Sequence, residues 1–265
     1  MRTSTLKILA MVGLCGIAAQ AMAADAHPDF SGNYVGIGGP PGQAAPNNQG
    51  FVNTPDVEKM VTAALKPWAK LLMEQTNTVV EDGGAVCSFA GPFRHTNTSP
   101  FMWLQTDEAA YFISSNLPTV GIIKIHMTDK HPEALQPRWI GHSIGHWEGD
   151  TLVMDTIGWN DRTWLGTANQ PHSEELHVVR RFRYVGDGSL LEMHITVSDR
   201  RALKHPYSYV RYFRKSPKDF EELSDNVCNS GQGEPEIWWT IRQEAIEWEK
   251  TNPPTYDDAP AAKKD

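Results

Sequence analysis

Residues able to move protons crowd into one stretch, 139–176. It holds His142, His146, Asp155, His172 and Glu174, together with four of the nine tryptophans. The first half reads as a β-hairpin, with alternating residues up to Trp147, a turn at Glu148-Gly149-Asp150 and a return over 151–156. If Glu148-Gly149 is a two-residue loop, Trp147 faces Asp150 and His142 faces Asp155. Cross-strand Cβ atoms lie roughly 5 Å apart, close enough for a carboxylate to orient an imidazole. A three-residue loop would break that pairing. The plainer alternative is a buried His-Asp pair that only ties two strands together.

The second half reads as a polar-aromatic loop carrying Trp159, Asn160, Asp161, Arg162 and Trp164, closed by Pro171-His172-Ser173-Glu174. His172 and Glu174 would serve as an acid-base pair, joining His142 and Asp155 as the catalytic set. Trp139, His146, Trp159, Asn160, Asp161 and Trp164 suit a pocket for a flat molecule with a few polar groups. An inward Arg181 would hold an anionic group or stabilise developing charge. The competing reading is a loop merely anchored by its tryptophans, with Asp161 capping a turn. Ser173 lacks the G-x-S-x-G elbow of a hydrolase nucleophile.

His142 and His146 have the spacing of a helical zinc pair, but on a strand residues four apart lie about 13 Å apart at ~3.3 Å each. One zinc needs its ligands near 2.1 Å, so this pair cannot share it, and no metal is expected. No glycine-rich nucleotide fingerprint, P-loop or haem motif is present. The chemistry expected is therefore independent of an organic cofactor.

These residues need a rigid frame. From Phe101 onward the pattern has period two, with strands expected at 101–105, 109–114, 120–127, 138–147, 150–157, 175–185, 189–198 and 207–214. Short links between successive strands imply antiparallel neighbours. About eight of them favour a calycin-like (lipocalin-like) barrel, a fold able to hold a small ligand. Asp29 to Tyr34 reads as a further short aromatic strand, and 36–50 as a flexible arm. Thr54-Pro55-Asp56 starts a helix whose apolar stripe runs from Val57 to Leu72, kinked at Pro67. A second helix is expected over 235–250, packed by Ile237, Trp238, Ile241, Ala245 and Trp248. The expected organisation is thus a leader, a strand and arm over 24–53, one barrel domain over 54–250 and a disordered tail from 251.

The leader is read from Arg2 and Lys7, the short apolar run Ile8 to Ile17, and Ala21-Met22-Ala23, a cleavage signature after which residues 1–23 are lost. Its removal takes two cations and no acid, lowering the formal charge from −8 to −10. That balance argues against nucleic acid and anionic membrane surfaces as partners, and no later stretch suits a membrane helix. In an oxidising compartment Cys87 and Cys228, the cysteines left after cleavage, are expected to form a disulfide, against the alternative of two free thiols.

Several of these residues also form a recognisable pattern: Asp29-Phe30-Ser31-Gly32, Cys87, Pro92-Phe93-Arg94, Gln105-Thr106, Gly141-His142-Ser143 through Thr156, Pro171 through Glu174, and Val227-Cys228. It resembles a family of exported bacterial proteins for which no activity is established. The chain departs from that pattern at Tyr34, usually tryptophan, and at Arg180, usually an acid. The reading that emerges is an exported lyase, hydratase or isomerase acting on a small apolar or aromatic molecule inside a barrel. Its rival is a periplasmic carrier with the same pocket and no turnover; a structural protein with exposed tryptophans is a third possibility.

Overall fold

The computed structural model describes residues 27–37, 55–77, 81, 89, 91–93, 100–114, 121–166, 168–216, 247 and 250–251. The leader, Cys87, Cys228 and most of the expected helix 235–250 lie outside the described residues, as does the arm beyond Ile37. Glu247, Lys250 and Thr251 are helical.

The strands are β1 (Gly32–Ile37), β2 (Phe101–Gln105), β3 (Ala109–Ser114), β4 (Gly121–Met127), β5 (His142–Glu148), β6 (Thr151–Ile157), β7 (His177–Val185), β8 (Leu190–Ser198) and β9 (Tyr207–Lys215). They pair in chain order into a closed barrel, and β1 meets both β2 and β9. Closure leaves no unpaired edge among them. The period-two expectation holds for all eight strands from Phe101 onward, and the N-terminal aromatic strand joins as the ninth. It reaches Ile37, two residues into the segment expected to be a flexible arm.

One junction departs from the antiparallel expectation. Strands β4 and β5 are parallel, with Ile125 beside Ser143 and Met127 beside Gly145. A parallel pair needs a crossover of about a dozen residues, and the segment 128–141 supplies it. Strand β5 therefore begins at His142 rather than 138. Arg138 instead bridges Trp159, and Trp139-Ile140 turns the chain.

Alternation sorts the side chains. Tyr34, Trp103, Phe112, Leu152, Phe182 and Phe213 point inward and are essentially inaccessible. Their rings stack or meet edge-on, as in Phe101 against Phe112 at 4.4 Å and Trp103 against Phe182 at 4.9 Å. Each such fully buried side chain contributes about 1.5–3 kcal/mol. Trp103 and Tyr209 belong to this interior. Tyr111, His126 and His194 lie on the opposite parity, facing outward.

The single kinked helix expected over 54–72 is instead two, α1 (Pro55–Ala64) and α2 (Pro67–Gln75). Proline bars helical geometry from the residue before it. Lys66 is accordingly extended, with ψ of 161°. Leu65 uses the break to bridge Leu203, and Lys66 N–H donates to the Ala202 carbonyl at 2.9 Å. Val61, Ala64, Trp68 and Leu72 are buried as the stripe predicts, while Leu71 is left exposed. No helix among the described residues is long and apolar enough to cross a membrane.

Candidate functional site

The hairpin turn sits one residue later than expected. Glu148 pairs with Thr151, so the loop is Gly149-Asp150. Gly149 has φ of 60°, at the first turn position, where a type II′ turn requires glycine. Every pairing moves by two residues: His142 faces Ile157 and Asp155 faces Ile144, correcting the expected His142–Asp155 pair. A shift of two preserves parity, so the two side chains share a face, but it is the outer face of the barrel and not the interior.

On that face Asp155 is met from two sides. His177, from β7, places Nε2 at 2.9 and 3.0 Å from the two carboxylate oxygens. His131, from the crossover 128–141, places Nε2 at 3.1 Å from Oδ1. The other nitrogen of His131, Nδ1, lies 3.0 Å from Nδ1 of His142. The His142 ring in turn stacks on His126 of β4, centroids 5.0 Å apart. The result is a chain, His142–His131–Asp155–His177, with His126 beside its outer end. The side chains of His131, Asp155 and His177 are 15%, 27% and 41% exposed, so the chain is partly dry yet reachable.

The hydrogen-bond network assigns the protons. A carboxylate only accepts, so both Nε2 atoms that reach Asp155 carry hydrogen. With no second proton on His131, its Nδ1 is bare and accepts from His142 Nδ1–H across the 3.0 Å contact. That leaves Nε2 of His142 as the free base of the chain.

Electrostatics follow the geometry. Burial pushes the Asp155 carboxyl up, but hydrogen bonds and charge from His177 and His131 outweigh it and hold it below the ordinary carboxylate value. The hydrogen bond to Asp155 raises His177 above the usual imidazole value, despite burial. Burial lowers His142, with help from His126, His131 and Arg138. His126 is lowered by burial and by Lys124 and Arg138. Among the described residues, no group of three or more His, Cys, Asp or Glu is arranged to hold a metal ion.

The other expected catalytic residues lie elsewhere. His172 is fully buried, with Nδ1 donating to the Ser173 carbonyl at 3.0 Å and Nε2 2.7 Å from the Thr163 hydroxyl. Glu174 is exposed, so no His172–Glu174 acid-base pair forms and the four expected residues do not converge. The loop is a structural latch. Ser173 N–H and Oγ–H donate to the two oxygens of buried Asp199, at 2.6 and 2.7 Å. Asp199 also accepts from Arg201 N–H and Ala202 N–H, both at 2.9 Å.

The expected binding residues divide similarly. Trp159 and Trp164 are buried anchors, their indoles donating to the carbonyls of Thr156 and Glu81. Asn160 accepts from Arg162 N–H at 3.2 Å and Asp161 is half-buried, as in a turn. Trp139 is half-buried against the core. His146 lies 3.3 Å from Glu148. Arg181 points outward, not inward, and grips Glu148 with two hydrogen bonds of 2.5 and 3.1 Å. Its neighbour Arg180 is the inward residue, donating to the Pro92 carbonyl and lying 5.5 Å above the Phe93 ring.

Sequence reasoning missed His131 and gave His177 no catalytic part. His131 sits in an irregular crossover with no periodicity to read. The length of that segment was the available signal, because a link too long for a hairpin must lie across the sheet. No family model matches the chain, and no curated protein matches it either.

Proposed function

We propose that this is an exported acid-base enzyme of lyase, hydratase or isomerase type, needing no organic cofactor, that acts on a small apolar or aromatic molecule at the outer face of the barrel. The observation that carries the reading is the continuous His142–His131–Asp155 chain. His142 Nε2 takes a proton from the substrate. Its Nδ1 proton then passes to Nδ1 of His131, whose imidazolium is stabilised by the Asp155 carboxylate. Return of that proton along the same path makes His142 the acid for the second half of the reaction. His177 is a positioning residue, holding Asp155 by both oxygens.

A substrate inside the barrel has less support than the sequence suggested. The inward positions Tyr34, Trp103, Phe112, Leu152, Phe182 and Phe213 carry aromatic and aliphatic side chains of one contiguous core. The same packing disfavours the carrier reading, which needs an apolar interior cavity. Export rests on the leader signature and on the family resemblance.

The wild-type pH–rate profile tests the proposal, on whichever of a panel of small apolar and aromatic compounds is consumed. The base must be unprotonated, and burial depresses His142. Consequently kcat/KM should rise with pH and level off, with its inflection below the ordinary histidine value of about 6.5. A rate that falls over that range would overturn His142 as the base, and binding without turnover across the panel would overturn the enzyme reading in favour of a carrier.

A further inference from the structure

The histidine chain has a cationic rim that the acid-base reading leaves unused. Lys124 lies on the same outward parity of β4 as His126. Continuing the parallel register of Ile125 beside Ser143 by one step sets Lys124 beside His142. Arg138 stands at the entry to β5, and its backbone is fixed. Its N–H donates to the Gly158 carbonyl at 2.9 Å, and its carbonyl accepts from Asn160 N–H at 2.8 Å. Both cations act on the His126 ring, and Arg138 also acts on His142. Both side chains are exposed, and among the described residues neither makes an ion pair. The nearest carboxylate of the cluster, Asp155, is already taken by two histidines.

Next to this rim the surface is apolar. Tyr111 pairs with Lys124 across β3 and β4, and Ile122, 44% exposed, lies two residues before Lys124 on the same face. We infer that the rim is a subsite for a small organic carboxylate, whose charged end sits between Lys124 and Arg138 and whose apolar body lies against Tyr111 and Ile122. This rests on the acid-base reading for its purpose, since it sets the carbon next to the carboxylate beside His142. Its physical basis is separate: two uncompensated cations in a chain of formal charge −8 form a local field that selects an anion. Arginine adds a planar fork suited to a carboxylate.

Benzoate and benzamide, alike in shape and differing in charge, are the probes. Each is titrated into the protein while the imidazole resonances of His126 and His142 are followed by NMR. Benzoate should shift both in a saturable way and bind at least about tenfold more tightly than benzamide, a difference of roughly 1.4 kcal/mol. The double variant Lys124→Gln/Arg138→Gln, altered only at exposed side chains, should lose that preference. Equal binding of the two probes, or a preference that survives in the double variant, overturns the subsite. The readout does not depend on turnover. Selective benzoate binding in a protein that consumes nothing would leave the subsite standing and remove the catalytic reading alone.

Discussion

Replacing His142 with glutamine should lower kcat by about two to four orders of magnitude, while the melting temperature moves by only a few degrees. The range is that of a positioned general base, equivalent to roughly 2.7–5.5 kcal/mol in the barrier. Glutamine keeps a polar side chain near the His131 ring but cannot accept and release a proton at neutral pH. The structural cost is small because His142 is half-buried, losing one hydrogen bond and one ring stack. A net loss of about 1 kcal/mol corresponds to a shift of ~2–4 °C in a domain of this size. If the cluster only strapped the crossover 128–141 to the sheet, the pattern would reverse, with melting strongly lowered and turnover retained. Thermal unfolding beside turnover on the same preparation separates the two.

Asp199→Ala should produce the opposite signature. Its carboxylate accepts from Ser173 N–H, Ser173 Oγ–H, Arg201 N–H and Ala202 N–H in a site with no solvent exposure. Alanine leaves these donors unsatisfied where water does not reach. Each orphaned buried group costs about 1–3 kcal/mol, and partial relaxation brings the expected total to roughly 3–5 kcal/mol. Melting should fall by about 6–20 °C, whereas kcat at a temperature where the variant stays folded should be close to wild type. The contacts of Asp199 explain why. Asp199 holds the 171–173 latch to the turn that carries Leu203, the bridge partner of Leu65, and touches none of the proton chain. Unaltered melting with lost turnover would return Pro171 through Glu174 to the active site.

The contrast between these residues marks what could be read from sequence alone. Strand positions were legible because barrel strands alternate, and residues such as Met193, Ile195 and Val197 keep strict period two. Orientation within β7 was ambiguous, since arginine occupies both parities. Arg181 faced outward, and Arg180 went in, where its guanidinium meets Phe93. The hairpin is legible in the sequence, but Gly149 takes the first position of its turn rather than the second, which separates His142 from Asp155. Two residues of slip changed the partner and spared the face. His172 shows the opposite failure. Histidine flanked by proline, serine and glutamate has the composition of a site, yet its partners, Thr163 and the Ser173 carbonyl, make it part of the core. His131 was hidden because its placement depends on the parallel junction of β4 and β5, a long-range pairing that no local pattern encodes.

The direction of the proton chain can be read without knowing the substrate. Two-bond ¹H–¹⁵N correlation spectra above neutral pH report which nitrogen of each imidazole carries hydrogen. The spectra should show protonated Nε2 in His131 and His177, bare Nδ1 in His131, and protonated Nδ1 with bare Nε2 in His142. Protonated Nε2 and bare Nδ1 in His142 would contradict it, because the base would then point into the chain and have nothing to accept from a substrate.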